Sequence, residues 1–411
     1  MNGIVCKSTH DKYSIVEMVA WMISLTLFFA VSMNNDWNGK RILWYGSIAL
    51  LALTYIIVYR GKALLRNWDF TAWFASFLAL CIFSITWSLS PSDAFEVIKT
   101  MIVLLAVFLI LQFSINYGFS VNKVLICLFA AIVIDLIYVI FAIDLSALGE
   151  VQLGKELIDG WNGNQIGFMA GEGLLLGVYL CSKIKNKVGK IPMIGLLIFC
   201  AYITVYTGSR TAFIMTISGV IIYICINRPQ KIVRNILIIA LLLLGSFYIM
   251  MNVASIYNIL GSRFEGLFAL FGAGGEVDGS AETRDEFIKN GISWFLEEPF
   301  IGYGINNYRI LNSMEMGRLT YAHNNFVEIA VGLGVVGLVL YYSVYVLLII
   351  RMSKKIKNNP LIVFLLSLLL ASLISQYGSV SYYSLYQNLL IFLCFASINS
   401  VDKSETHNLK L

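Results

Sequence analysis

Residues 318–350 read RLTYAHNNFVEIAVGLGVVGLVLYYSVYVLLII. From Phe326 to Ile350 the only charge is Glu328. A helical membrane span needs ~20 mostly apolar residues, and this run supplies them. The stretch before it is the opposite. Ser255–Ala322 is hydrophilic for about 68 residues and ends at His323-Asn324. His323 therefore stands at a junction of polar loop and apolar helix, whereas His10 and His407 lie in the terminal tails.

Outward from that junction the chain is mostly apolar. Of its 411 residues 59% are apolar and 13% charged, with a mean hydropathy of +0.79. Soluble domains carry roughly 25% charged residues, so a polytopic membrane protein is expected. Twelve runs are long enough to span: Ile15–Met33, Ile42–Tyr59, Phe70–Trp87, Val97–Phe113, Val124–Ile143, Ile166–Cys181, Ile191–Thr207, Ala212–Ile226, Ile236–Ala254, Asn325–Ile350, Leu361–Tyr377 and Tyr383–Ser397. They lack two-residue alternation, which argues for helices and against a β-barrel. The fold class is all-α, organised as spans 1–9 in residues 1–254, an extracytoplasmic loop in 255–322, and spans 10–12 with a cytoplasmic tail in 323–411.

Basic residues set the expected orientation. Loops on one side carry Arg60, Lys62 and Arg66, then Lys183, Lys185, Lys187 and Lys190, then Arg228, Lys231 and Arg234, then Arg351, Lys354, Lys355 and Lys357. The opposite turns Ser88–Glu96 and Gly378–Tyr382 carry none. Positive charge stays inside, so both termini are expected in the cytoplasm and the long loop outside. The net charge of +5 follows from this asymmetry, and no nucleic-acid partner is expected. The first span is too long for a signal-peptide core and reads as a retained helix. The seven cysteines are scattered, with none in the long loop, which supports neither a disulfide framework nor a zinc site. No tandem repeat emerges.

The loop has two halves. Gly261–Ser280 is glycine-rich and reads as a mobile connector. From Ala281 the pattern is helical: Thr283 is a candidate cap, Arg284 falls in the first turn, and Phe287, Ile288, Gly291, Trp294 and Phe295 share a face until Pro299. That aromatic face is expected to lie on the membrane surface. A second outward loop, Asp144–Gln165, carries Trp161-Asn162-Gly163-Asn164-Gln165.

Several residues carry chemical potential. Arg210, in Thr207-Gly208-Ser209-Arg210-Thr211, is either a snorkelling arginine or a guanidinium fork for phosphate oxygens. Arg284 has the same two readings, with Asp285 and Glu286 beside it favouring a solvated face. His323 titrates ordinarily near ~6.5, so a neutral imidazole is available as a base. Asn324 and Glu328 are four apart on one helix face, which puts a carboxylate one turn inside the membrane. Asp135 and Glu172 are further intramembrane carboxyls, each a functional candidate or a structural pair. Gly334 and Gly337 allow close helix approach. Gly302-Tyr303-Gly304-Ile305-Asn306 lacks a Walker lysine and a Rossmann strand, so no nucleotide site is expected. Glu276 and Asp278 make a poor metal platform; no metal and no cofactor are expected.

Together these pieces resemble the O-antigen ligase and O-antigen polymerase superfamily of bacterial envelope glycosyltransferases. The ligase-type signature stands here as His323-Asn324, nine residues, Gly334, two residues and Gly337. Arg284-Asp285, Trp294, Pro299, Gly302-Tyr303-Gly304 and Tyr308 are similar to the family's segment before that histidine, and Ser209-Arg210-Thr211 to its arginine turn. The likeness covers roughly Gly208 to Tyr341. It implies a GT-C-like, metal-independent, inverting transferase in the bacterial cytoplasmic membrane, working on the extracytoplasmic face. The donor would be an undecaprenyl-diphosphate-linked oligosaccharide and the acceptor a glycan, with membrane lipid and a chain-length regulator protein as further partners. By the same likeness Arg210 and Arg284 hold the diphosphate and His323 is the base, supported by Asn324, Glu328, Ser209 and Asn164. The loop's nine acids against five bases suit a phosphorylated lipopolysaccharide core poorly, which leans towards a repeat-unit polymerase. A ligase joining polymer to lipid A–core or another envelope acceptor remains the alternative, and a lipid-linked sugar flippase a more distant one.

Overall fold

In a computed structural model, residues 14–33, 41–64, 66–142, 162–227, 229–270, 279–357 and 359–408 are described; the side chains of 41, 270 and 400–408 are not. Cys6, His10, Trp161, the Phe271–Gly275 stretch, Glu276 and Asp278 lie outside the described residues. What is described is helical, with no strand.

Ten helices are long and apolar enough to cross a membrane: α1 (Ile15–Met33), α2 (Arg41–Tyr59), α3 (Asp69–Phe83, prolonged by a tighter turn to Trp87), α4 (Pro91–Asn116), α5 (Val121–Ala142), α6 (Gly163–Lys183), α7 (Lys187–Tyr206), α8 (Arg210–Asn227), α9 (Ile232–Asn252) and α14 (Asn325–Ser353). A three-residue turn α10 (Ala254–Ile256), α11 (Ser262–Leu270), α12 (Gly279–Glu297) and α13 (Tyr308–Met316) fill the segment between α9 and α14. After α14 come α15 (Pro360–Ser375) and α16 (Leu385–Asn408). The apolar parts of these last two are short, Pro360–Ser375 and Leu385–Asn399, so two of the twelve expected spans fall below full spanning length.

Helix starts follow local chemistry. Asn162, Asn186, Asn324 and Asn359 each accept backbone N–H bonds at the starts of α6, α7, α14 and α15, as short polar side chains do at N-caps. Pro91 and Pro360 open α4 and α15, where a missing N–H costs nothing. Because α4 begins at Pro91, two thirds of the turn expected over Ser88–Glu96 is helix.

The interior is aromatic. Phe70, Phe74, Phe108 and Phe392 join α3, α4 and α16, and Trp21 packs on Tyr55, Tyr59 and Phe119 to join α1 and α2 to the α4–α5 turn. The segment between α9 and α14 departs from expectation in three ways. A wide helical turn, Tyr257–Gly261, leads into α11, which occupies the first half of the Gly261–Ser280 stretch that read as a connector. Thr283 is inside α12, donating to the Gly279 carbonyl, so it is no cap and Arg284 is past the first turn. Phe287 and Trp294 pack on Tyr308, Val327 and Val331 of the protein itself. The aromatic face that read as membrane-directed covers α13 and α14.

Candidate active site

The site begins with a broken helix. α14 is interrupted at Gly334, whose φ of 62° and ψ of −160° belong to glycine alone. A break inside a span frees backbone groups that lipid cannot satisfy, so protein must. Here the Pro299–Gly304 loop does so. Val335 N–H donates to the Pro299 carbonyl at 2.8 Å and Val336 N–H to the Phe300 carbonyl at 3.3 Å. The carbonyls those amides would meet in an unbroken helix, Val331 and Gly332, accept instead from Tyr303 at 2.9 Å and Gly304 at 2.8 Å. A side chain on Gly334 would strike the Phe300 carbonyl, and one on Gly302 the Val331 carbonyl. Gly334 and Gly302 thus permit a helix–loop contact, which is the use of Gly334 in place of the helix–helix approach inferred from its spacing to Gly337. Beside Gly337 the space is filled by Leu333.

The loop is fixed from its other side as well. Asn307 donates to Ser88 Oγ and accepts from Ser90 N–H at 2.9 Å, Ile305 N–H donates to Ser84 Oγ, and Arg309 pairs with Asp93 at 3.6 Å. None of these residues drew a functional reading from sequence. Their partners lie more than two hundred positions away.

His323 sits immediately before α14 with φ 53°, a left-handed conformation uncommon for a non-glycine residue. Its neighbours hold it there. Asn324 Oδ1 accepts from the N–H groups of Phe326 and Val327, and Glu328 reaches back to accept from Ala322 N–H at 2.8 Å. Asn324 and Glu328 are both buried and serve the corner's backbone. The imidazole lies 4.2 Å from the Tyr321 ring and parallel to Phe287 at 6.1 Å, centroid to centroid. Burial, with the charge of Arg284 on α12 adding to it, pushes the imidazole down to about 4. Both act by disfavouring the charged ring. Arg284 is half-buried, and its charge also opposes the upward push that burial gives Tyr321.

The arginine turn is built differently. Ser209 caps α8 through Ala212 N–H. Arg210 is buried; its Nη1 donates to the Arg263 carbonyl at 2.9 Å, and Arg263 Nη1 on α11 donates to the Gly208 carbonyl at 2.7 Å. Arg263 is a participant that sequence reasoning missed, being one arginine beside a glycine-rich stretch. The turn joins the histidine corner through a third element. Asn325 holds the α15–α16 connection by bonds to Gln376, Ser381 and Tyr382, and Gly378 in that connection abuts Thr211.

These elements surround one cavity of about 690 Å³, lined by His323, Tyr321, Asn164, Gln165, Tyr383 and Glu172 among others. Arg210, Ser209 and Arg284 are not in its wall, although Met215, a turn and a half along α8 from Arg210, is. Asp135 is buried and is not in the wall. Among the described residues no group of three or more His, Cys, Asp or Glu is placed to hold a metal ion.

Residues 195–342, from α7 through the break in α14, match the family described as O-Antigen ligase. The chain has no significant match among curated proteins.

Proposed function

The chain carries an O-antigen ligase family segment that supports membership of the O-antigen ligase and polymerase superfamily, and from that premise we propose a membrane glycosyltransferase that moves an undecaprenyl-diphosphate-linked glycan onto an acceptor sugar hydroxyl. The observation that carries the reading is the His323 corner. An imidazole that burial and a nearby guanidinium push towards its neutral form stands at the wall of the cavity, on a corner whose flanking backbone Glu328 and Asn324 hold and against the rings of Tyr321 and Phe287.

In this reading His323 takes the proton from the acceptor hydroxyl as that oxygen attacks the anomeric carbon. The bond from that carbon to the diphosphate oxygen breaks, the anomeric configuration inverts, and the diphosphate leaves carrying the electron pair. Negative charge grows on the leaving group, so fixed guanidiniums at Arg284 and Arg210 stabilise the transition state more than the ground state. The proton then leaves His323 for water, which a depressed imidazole releases readily. Asn324, Glu328 and Ser209 act by holding the backbone of the two corners, and Asn164 lines the space the sugars enter. The reaction proceeds in the bacterial cytoplasmic membrane on the extracytoplasmic face, with both termini cytoplasmic and residues 255–322 forming the outer loop between the two membrane portions, 1–254 and 323–411.

The acceptor we favour is another lipid-linked repeat unit, because the loop has nine acids and five bases and would repel a phosphorylated core. The test uses purified protein in vesicles with a radiolabelled lipid-linked repeat unit. Longer lipid-linked chains are expected. Transfer only when lipid A–core is supplied would make it a ligase, and relocation of label across the bilayer without a new bond would make it a flippase.

A further inference from the structure

The cavity does not end at the histidine. Asn164 and Glu172 both line it, and eight residues of helix separate them by about 12 Å. Glu172 is at the middle of a 21-residue span, so the cavity reaches to about the centre of the membrane portion. A carboxylate there is expensive unless something compensates it. Among the described residues no hydrogen bond or cation does so. One side chain beside Glu172 is also short of a partner: the Tyr386 hydroxyl, on a lining residue, has none. Asp135, 4% exposed, leaves Oδ2 unpartnered, and the Tyr386 hydroxyl lies within electrostatic reach of both carboxyls. The described wall includes no lysine or arginine.

Unsatisfied acceptors and hydroxyls at the blind end of an otherwise aromatic and hydroxyl-lined cavity need a ligand that brings donors. Water can supply single donors there. A sugar ring does it well, because two neighbouring hydroxyls match the two oxygens of a carboxylate, and its apolar face suits the rings of Tyr386 and Trp44, which also line the cavity. An acidic sugar would meet Glu172 with no cation to offset the repulsion. We propose that Glu172 is the sugar-reading residue of this protein: its carboxyl group pairs with adjacent hydroxyls of a neutral sugar of the lipid-linked glycan, with the Tyr386 hydroxyl supplying a further bond. The inference rests on the transferase reading, since that reading brings a glycan into the cavity. It adds which end of the cavity holds the sugar and which sugars it rejects.

The test separates sugar from diphosphate. Full-length protein in nanodiscs is titrated with bare undecaprenyl diphosphate and with lipid-linked saccharides extracted from membranes of the cells that make it. Wild-type protein is expected to bind the saccharide-bearing lipids more tightly. Glu172→Gln is expected to remove about ten- to a hundredfold of that advantage, the worth of a lost pair of charge-assisted bonds, and Tyr386→Phe a smaller part, both without change towards the bare lipid. An undiminished advantage in Glu172→Gln overturns the proposal. So does equal weakening towards both lipids in both variants, which makes Glu172 a packing residue. Wild-type protein that binds neither lipid overturns the transferase reading and this one with it; wild-type protein that binds both and transfers sugar while Glu172→Gln is indifferent overturns this one alone.

Discussion

The His323 corner and the Arg210 turn are joined through the α15–α16 connection, yet they are held in opposite ways. At the corner, protein atoms engage the backbone and leave the ring at the cavity wall. At the turn, the functional group itself is engaged, with Arg210 and Arg263 each bonded to a carbonyl of the other's segment. A base must meet its proton donor, so presentation is what the corner's construction supplies. A guanidinium held against carbonyls supplies fixed charge and ties two segments together, and it acts on an anion only as far as that tie allows.

The contrast can be broken in order of expected effect. His323→Ala should reduce transfer by about 10²–10⁴-fold, the range of general-base catalysis, with insertion into membranes unchanged. Arg284→Ala should cost about 10²–10³-fold, as loss of one stabilising donor does. Arg210→Ala should cost as much in rate and also lower the thermal unfolding temperature, because α11 loses one of its two bonds to the turn. An Arg284 variant that destabilises more than the Arg210 variant would reverse the distinction between the corners.

Gly334→Ala should destabilise by about 1–3 kcal/mol from backbone strain, and by more from its collision with Phe300, read as detergent-melting temperature. An unchanged melting temperature would mean that the break in α14 is not needed. The smallest effect is on pH dependence. The base must be neutral, so kcat/KM should be flat near neutral pH and fall as pH drops through about 4. Removing the positive charge in Arg284→Gln should move that fall to higher pH, since a like charge had disfavoured the imidazolium. A fall near 6.5 in the wild type would mean that His323 is solvated.

Sequence made the spans legible because lipid imposes a compositional rule on each span separately. It also singled out His323 at a polar–apolar junction and Arg210 in a tight turn, while Arg284, inside the loop, drew notice through the family likeness. What stayed hidden was tertiary backbone bonding. Gly334 at helical spacing gives no sign that Pro299–Gly304 will replace the bonds of its own helix, because amides carry no residue identity. Phe287 and Trp294 form an apolar face whether lipid or α14 lies opposite, so their spacing could not choose between them. Arg263 and Tyr321 acquire meaning only from neighbours distant in the chain or folded back upon it. Glu172 was visible as an intramembrane acid, but its place at the end of the cavity required the assembled bundle.

The most direct measurement is single-turnover transfer by purified wild type and His323→Ala, alongside binding of undecaprenyl diphosphate to each. A neutral imidazole acting as base predicts transfer reduced by at least about a hundredfold with diphosphate affinity unchanged. Elongation by the variant at the wild-type rate would contradict it.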